Sequence, residues 1–271
     1  MYLSEWIILA YLAYLFTLAG VRPMPPKRRR AVLCWTVSLA VVIVAGSRLP
    51  LVPTVRVLRT MMPMGAILCG YYLSGLFFTA PQATVEARFA AFDRTVRHHL
   101  GATDVLDTAP RAVLELLELS YFACYFVLPA GIAVVALTGH VDLADRYWST
   151  TVLAELGCYA ALPFVRTRPG WLLRPDGGRN GRRVLMRDFN LLLVRRTSLK
   201  VNTFPSGHVA GGLAAALALA SIVPGLSPVF FVVALCIAAG AVAGEYHYAG
   251  DAIAGAATAL LAWGAVMIVG V

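Results

Sequence analysis

The chain has 271 residues, 59% of them hydrophobic and only 14% Asp, Glu, Lys or Arg, with a formal net charge of +9 and a mean hydropathy of +0.74. A soluble domain carries about 25% charge, and so few charges cannot cover this much apolar surface in water. Soluble, disordered and nucleic-acid-binding classes are set aside, and the expected class is an all-α, polytopic membrane helix bundle; the apolar runs are continuous rather than alternating, which argues against a transmembrane barrel.

A spanning helix needs about 20 mostly apolar residues. Eight runs qualify, at about 4–21, 31–47, 62–79, 112–137, 149–165, 208–223, 228–245 and 250–270, so about eight spans (6–8) are expected. The runs at 31–47 and 208–223 are short. The first run has Glu5 where a signal peptide has a basic region, and is read as a retained helix. Residues 1–110 form an N-terminal membrane part and 111–271 the core, as one integrated domain. The five cysteines form no C-x-x-C pair and are read as small core residues.

Between the third and fourth runs, Val85, Phe89, Phe92 and Val96 recur at helical spacing among Arg88, Arg94 and Arg97, the pattern of a helix lying in the membrane interface. Adjacent His98 and His99 point to different sides of such a helix, which disfavours a shared metal. His140 is expected in a solvated loop. Residues 166–203 form the longest polar segment, with ten of the 23 basic residues; Gly177, Gly178 and Gly181 lack the strand–turn–helix context of a nucleotide loop. With eight spans, 19 of the 23 basic residues share one face, which the positive-inside rule assigns to the cytoplasm.

Three polar stretches fall on that face at the ends of predicted spans: Arg166-Thr167-Arg168-Pro169, Phe204-Pro205-Ser206-Gly207-His208, and Glu245-Tyr246-His247-Tyr248-Ala249-Gly250-Asp251. Ionisable residues there are costly and default to function. Arg neutralises a phosphate ester with bidentate hydrogen bonds. Ser206 and Gly207 precede a helix whose free N–H groups suit an anion. One His can attack phosphorus and a second can protonate the departing oxygen. On a continuous helix His247 and Asp251 would share a face, so the carboxylate can orient the imidazole. No metal or other cofactor is called for. The plainer readings are a helix cap at Ser206, a structural His–Asp bond and a snorkelling Arg168.

The order R-P, P-S-G-H, H-x3-D resembles the type 2 phosphatidic acid phosphatase superfamily, whose signature is K-x6-R-P, P-S-G-H and S-R-x5-H-x3-D. The resemblance covers about residues 110–265. It implies His247 as nucleophile, Asp251 as its orienting partner, His208 as general acid, and Arg168, Ser206 and Gly207 as phosphate ligands. Two departures stand out: Ala161 replaces the opening Lys, and Gly240-Ala241 replace Ser-Arg. Arg166, Arg196, Lys200 or Arg195 are candidate substitutes. The absent Ser-Arg pair, with Phe-Pro-Ser-x-His-Val-Ala and His-Tyr-x-x-Asp, is similar to the branch with inositol phosphorylceramide synthases. Phe92-Asp93-Arg94 and Glu118-Leu119-Ser120-Tyr121 are more weakly similar to it.

The expected activity is a lipid-phosphate phosphatase or phosphotransferase acting through a phosphohistidine. Its partners would be a lipid phosphate or phospholipid, an alcohol acceptor in the transferase case, and the bilayer, with no nucleic acid. Glu245 is either a modulator or a solvated helix-end residue, and Glu115 and Glu118 are read as packing or interfacial hydrogen bonding before an ion path. A bacterial cytoplasmic membrane is the expected location; the charge count favours a cytoplasmic active-site face, whereas the resemblance implies a non-cytoplasmic one. The alternatives are an anionic-lipid-binding or transport protein, or an inactive superfamily member.

Overall fold

The computed structural model describes residues 1–99, 106, 108–173, 183–201 and 204–270, apart from the side chain of Arg97. Arg174, Gly177, Gly178, Arg179, Gly181 and Arg182 of the polar segment lie outside them. The described chain is helical, in the order α1 (Leu3–Val21), α2 (Pro26–Arg48), α3 (Pro53–Gly75), α4 (Ala83–His99), α5 (Arg111–Phe122), α6 (Val127–Leu137), α7 (Ala144–Ala161), α8 (Gly170–Leu173), α9 (Leu185–Thr197), α10 (Gly207–Ile222), α11 (Ser227–Ala243) and α12 (Ala249–Val269).

Helices α1, α2 and α12 are long and apolar enough to cross a membrane. The pair α5–α6, bent by 60° at a short 3-10 turn, makes a fourth candidate, while α10 and α11 are apolar but shorter. The expected eight spans are therefore met only in part by length and composition. Charge is one reason: α3 carries Arg56 and Arg59, and the 18 residues of α7 include Asp145, Arg146 and Glu155. The run at 31–47 is the inner part of a longer helix that starts at Pro26, and the run at 112–137 is two helices. Helices α8 and α9 were not anticipated; α9 is amphipathic and packs on α5.

Hydrogen bonds fix which helix ends meet. At one end, the Arg59 guanidinium of α3 makes a buried bidentate pair with Glu5 of α1 (2.8 and 2.7 Å), and Asp145 at the start of α7 accepts from Ser4. At the other end, Arg22 donates to the Pro163 carbonyl (2.8 Å), and Gln82 and Arg166 exchange two bonds. Helices α1, α3 and α7 thus run in parallel. Around them, α10 packs on α7, α11 and α12. Its Ala210, Ala214, Ala215 and Ala218 are fully buried, the small-residue surface that lets membrane helices approach closely. The Arg-Pro, Ser-Gly-His and His–Asp stretches all fall at the end of the bundle marked by Arg22 and Arg166.

Candidate active site

Ser206 is the N-cap of α10 and is fully buried; its Oγ accepts from Val209 N at 3.4 Å. Its backbone N–H donates to the carbonyl of Asp251 at 3.0 Å. One turn further along α12, Gly255 lets the two backbones approach: a Cβ there would come within 2.5 Å of the Ser206 carbonyl oxygen. The cap reading of Ser206 is thus realised, with its backbone docked on α12.

The third stretch is a turn between α11 and α12. The N–H groups of Tyr246 and His247 both donate to the Ala241 carbonyl (2.9 and 3.1 Å). Glu245 takes a left-handed conformation, φ 59°, usual for glycine rather than for a residue with a Cβ. Its carbonyl accepts from Trp171 N at 3.1 Å, and it is buried, which corrects the solvated alternative. His247 and Asp251 do not lie on one continuous helix: His247 precedes the N-cap, Tyr248, and Asp251 is the third helical residue. Asp251 Oδ2 accepts from Tyr248 N at 2.8 Å and lies 3.6 Å from His247 Nδ1. The capping box, rather than helical periodicity, brings the pair together, just outside hydrogen-bond distance.

A cavity of about 560 Å³ takes in His208, His247 and Gly207. The two imidazole centroids are 5.6 Å apart with the rings at 83°. His208 is also edge-on to Tyr121 (5.7 Å) and near Tyr125 (5.9 Å). Among the described residues lining this cavity there is no Lys or Arg.

The expected cationic ligands lie elsewhere. Arg168 Nε and Nη2 form a bidentate pair with Glu86 of α4 (3.0 and 2.9 Å), and its backbone N–H joins the same carboxylate at 2.8 Å. The Arg168 side-chain bond holds the Glu86 carboxyl below its ordinary range. The Arg168 carbonyl accepts from Tyr248 Oη at 3.1 Å, so the first stretch is tied to the third through backbone. Arg166 donates to Thr79 Oγ1 at 2.6 Å. Arg195, Arg196 and Lys200 are exposed. Gly240 faces the backbone of α5, where any side chain would meet the Leu117 carbonyl and Tyr121 N–H. Ala241 is fully buried among Tyr121, Trp171 and Tyr246. No space for Ser-Arg exists at this crossing.

Further residues support the site through contacts that the sequence does not show. Asp93 of α4 accepts from Ala249 N at 2.9 Å, supporting the start of α12, and Phe89 packs on Phe204 and Tyr248. Glu118 of α5 is fully buried and accepts from Arg187 (3.0 Å), Asn190 (3.0 Å) and Tyr246 Oη (2.7 Å), and Arg187 also reaches the Gly244 carbonyl. Tyr246 stacks on Tyr121 at 3.7 Å. Glu115 accepts from the N–H groups of Leu185 and Met186 at the start of α9, so both glutamates serve hydrogen bonding, as the sequence indicated. Glu155 of α7 lines the cavity and accepts from Tyr159 Oη at 2.5 Å. A carboxylate alone in the apolar run 149–165 was the signal for it.

Residues 147–270 match the family model described as the PAP2 superfamily. No curated protein matches the chain, and no solved structure does. The match begins in α7 and ends with α12, so it contains all three stretches.

Proposed function

We propose, from a PAP2-type core over residues 147–270, that this membrane protein is a lipid-phosphate phosphatase or phospho-headgroup transferase working through a phosphohistidine. The observation that carries the reading is the pair of imidazoles, 5.6 Å apart, in one cavity at the start of α10. The gap suits a phosphorus centre between the two rings.

In the first step the free imidazole nitrogen of His247 attacks phosphorus. The N–P bond forms as the P–O bond to the lipid breaks, and the departing oxygen takes a proton from His208. In the second step water or an alcohol attacks phosphorus, gives its proton to His208, and the N–P bond breaks. Asp251 orients His247 and stabilises its cation. The free N–H groups of α10's first turn, held by Ser206 and Gly207, receive phosphate oxygens. Arg168 can contribute only by sharing or exchanging Glu86; Arg166, Arg196 and Lys200 would have to reach in from outside the cavity. The proposed setting is a bacterial cytoplasmic membrane.

A second reading, lipid binding without turnover, draws on the absence of Lys and Arg from the described cavity lining. One experiment separates the two. Wild type and His247→Ala are purified in detergent and given several lipid phosphates, with and without alcohols, in the presence of a chelator. Loss of product in the variant supports the phosphohistidine route, and equal turnover overturns it. Product that requires an alcohol selects the transferase.

A further inference from the structure

The cavity has a chemical character that the two histidines do not account for. One wall is a chain of tyrosines: Tyr159 packs on Tyr71 (5.6 Å between centroids) and Tyr71 on Tyr72 (5.3 Å). Tyr121 and Tyr125 stand against His208 on the other side. At the inner end of the tyrosine chain is Glu155, only 5% exposed. Its carboxyl lies over Gly207 and Gly211 of α10, where added Cβ atoms would collide with it. Tyr159 Oη donates to one of its oxygens, and no described Lys or Arg pairs with it.

A carboxylate kept in such surroundings without a cation is costly, and aromatic faces attract cations. The same lining has no described Arg or Lys to balance a doubly charged phosphomonoester. A phosphodiester with an ammonium group brings its own positive charge, which can sit against that carboxylate, and its phosphate carries one negative charge rather than two. The apolar part of the cavity runs along α3 from Tyr72 to Met64, about 12 Å of helix, which suits acyl chain.

We infer that the cavity takes a zwitterionic phosphodiester lipid, with the head-group ammonium against Glu155 and the tyrosine wall and the phosphate between His208 and His247. The inference rests on the reading of this cavity as the reaction site, and it makes Glu155 a specificity-determining residue.

The test uses the full chain carrying His247→Ala, in non-ionic detergent, with binding followed by titration calorimetry. Three short-chain probes are compared: dihexanoylphosphatidylcholine, its isostere with a neutral dimethylbutyl group in place of choline, and dihexanoylphosphatidate. The choline lipid is expected to bind at least about 10-fold tighter than either of the others, and Glu155→Gln to erase about that factor, which is about 1.4 kcal/mol. Equal affinities for the choline lipid and its neutral isostere, or tighter binding of phosphatidate, overturn the inference. The isostere comparison needs no change at Glu155, so it decides even if Glu155→Gln fails to fold. Retained turnover in His247→Ala would instead remove the catalytic reading, a result distinct from any change in head-group preference.

Discussion

The backbone N–H of Ser206 donates to the carbonyl of Asp251 at 3.0 Å, joining the start of α10 directly to the start of α12. Two stretches 45 residues apart are thus one unit whose geometry depends on main chain rather than on side chains that a single substitution removes.

Gly255 is the position at which that unit is most vulnerable. Gly255→Ala places a Cβ against the Ser206 carbonyl, with backbone on both sides and nothing flexible to yield. We expect a loss of about 1–3 kcal/mol, together with a fall in turnover of at least about 10-fold from a displaced α10 N-terminus. Thermal unfolding and turnover in detergent check both.

Gly240 gives a test in the opposite sense. Gly240→Ser restores the residue type of the superfamily signature, yet its side chain would enter the α5 backbone at Leu117 and Tyr121. The expected outcome is destabilisation by about 1–3 kcal/mol rather than a gain of activity. A more active and equally stable variant would refute the steric account.

Removing Arg187 takes its ion pair away from the fully buried Glu118. Arg187→Met is expected to cost about 3–5 kcal/mol, and adding Glu118→Gln to recover part of it. Since Arg187 also holds the Gly244 carbonyl, turnover should fall further than stability alone explains. A double-mutant cycle on unfolding and on kcat reads both effects.

The pair of Glu86 and Arg168 predicts an acid limb. The folded carboxyl titrates below its ordinary value because Arg168 bonds its charged form. Its contribution is therefore fully present above about pH 4.3 and is lost as the pH falls through the lowered value. Glu86→Gln should narrow the stability difference from wild type at low pH and widen it at neutral pH. Unfolding temperatures across that range measure the difference.

Helix positions were legible because hydrophobic runs of this length have few alternatives: α1, α10, α11 and α12 begin and end within about two residues of the expected bounds. The bend between α5 and α6 was not legible, since Ala123–Tyr125 continues the apolar run without Gly or Pro. The three polar stretches are found at one end of the bundle. The partners of Arg168, Tyr246 and Ala249 were not readable, because Glu86, Glu118 and Asp93 act across long sequence separations with no local pattern. His247 and Asp251 were paired by helical spacing, whereas a capping turn brings them near.

The bend has a kinetic meaning. Leu68, Phe126 and Phe189, all exposed at the outer face of the bundle, also line the cavity. In the proposed membrane setting, that apolar mouth would face acyl chains rather than water. For the proposed reaction, encounter happens by diffusion within the leaflet. The concentration that governs rate is then the mole fraction of substrate among the surrounding lipids or detergent, and adding inert amphiphile should slow turnover at constant bulk substrate.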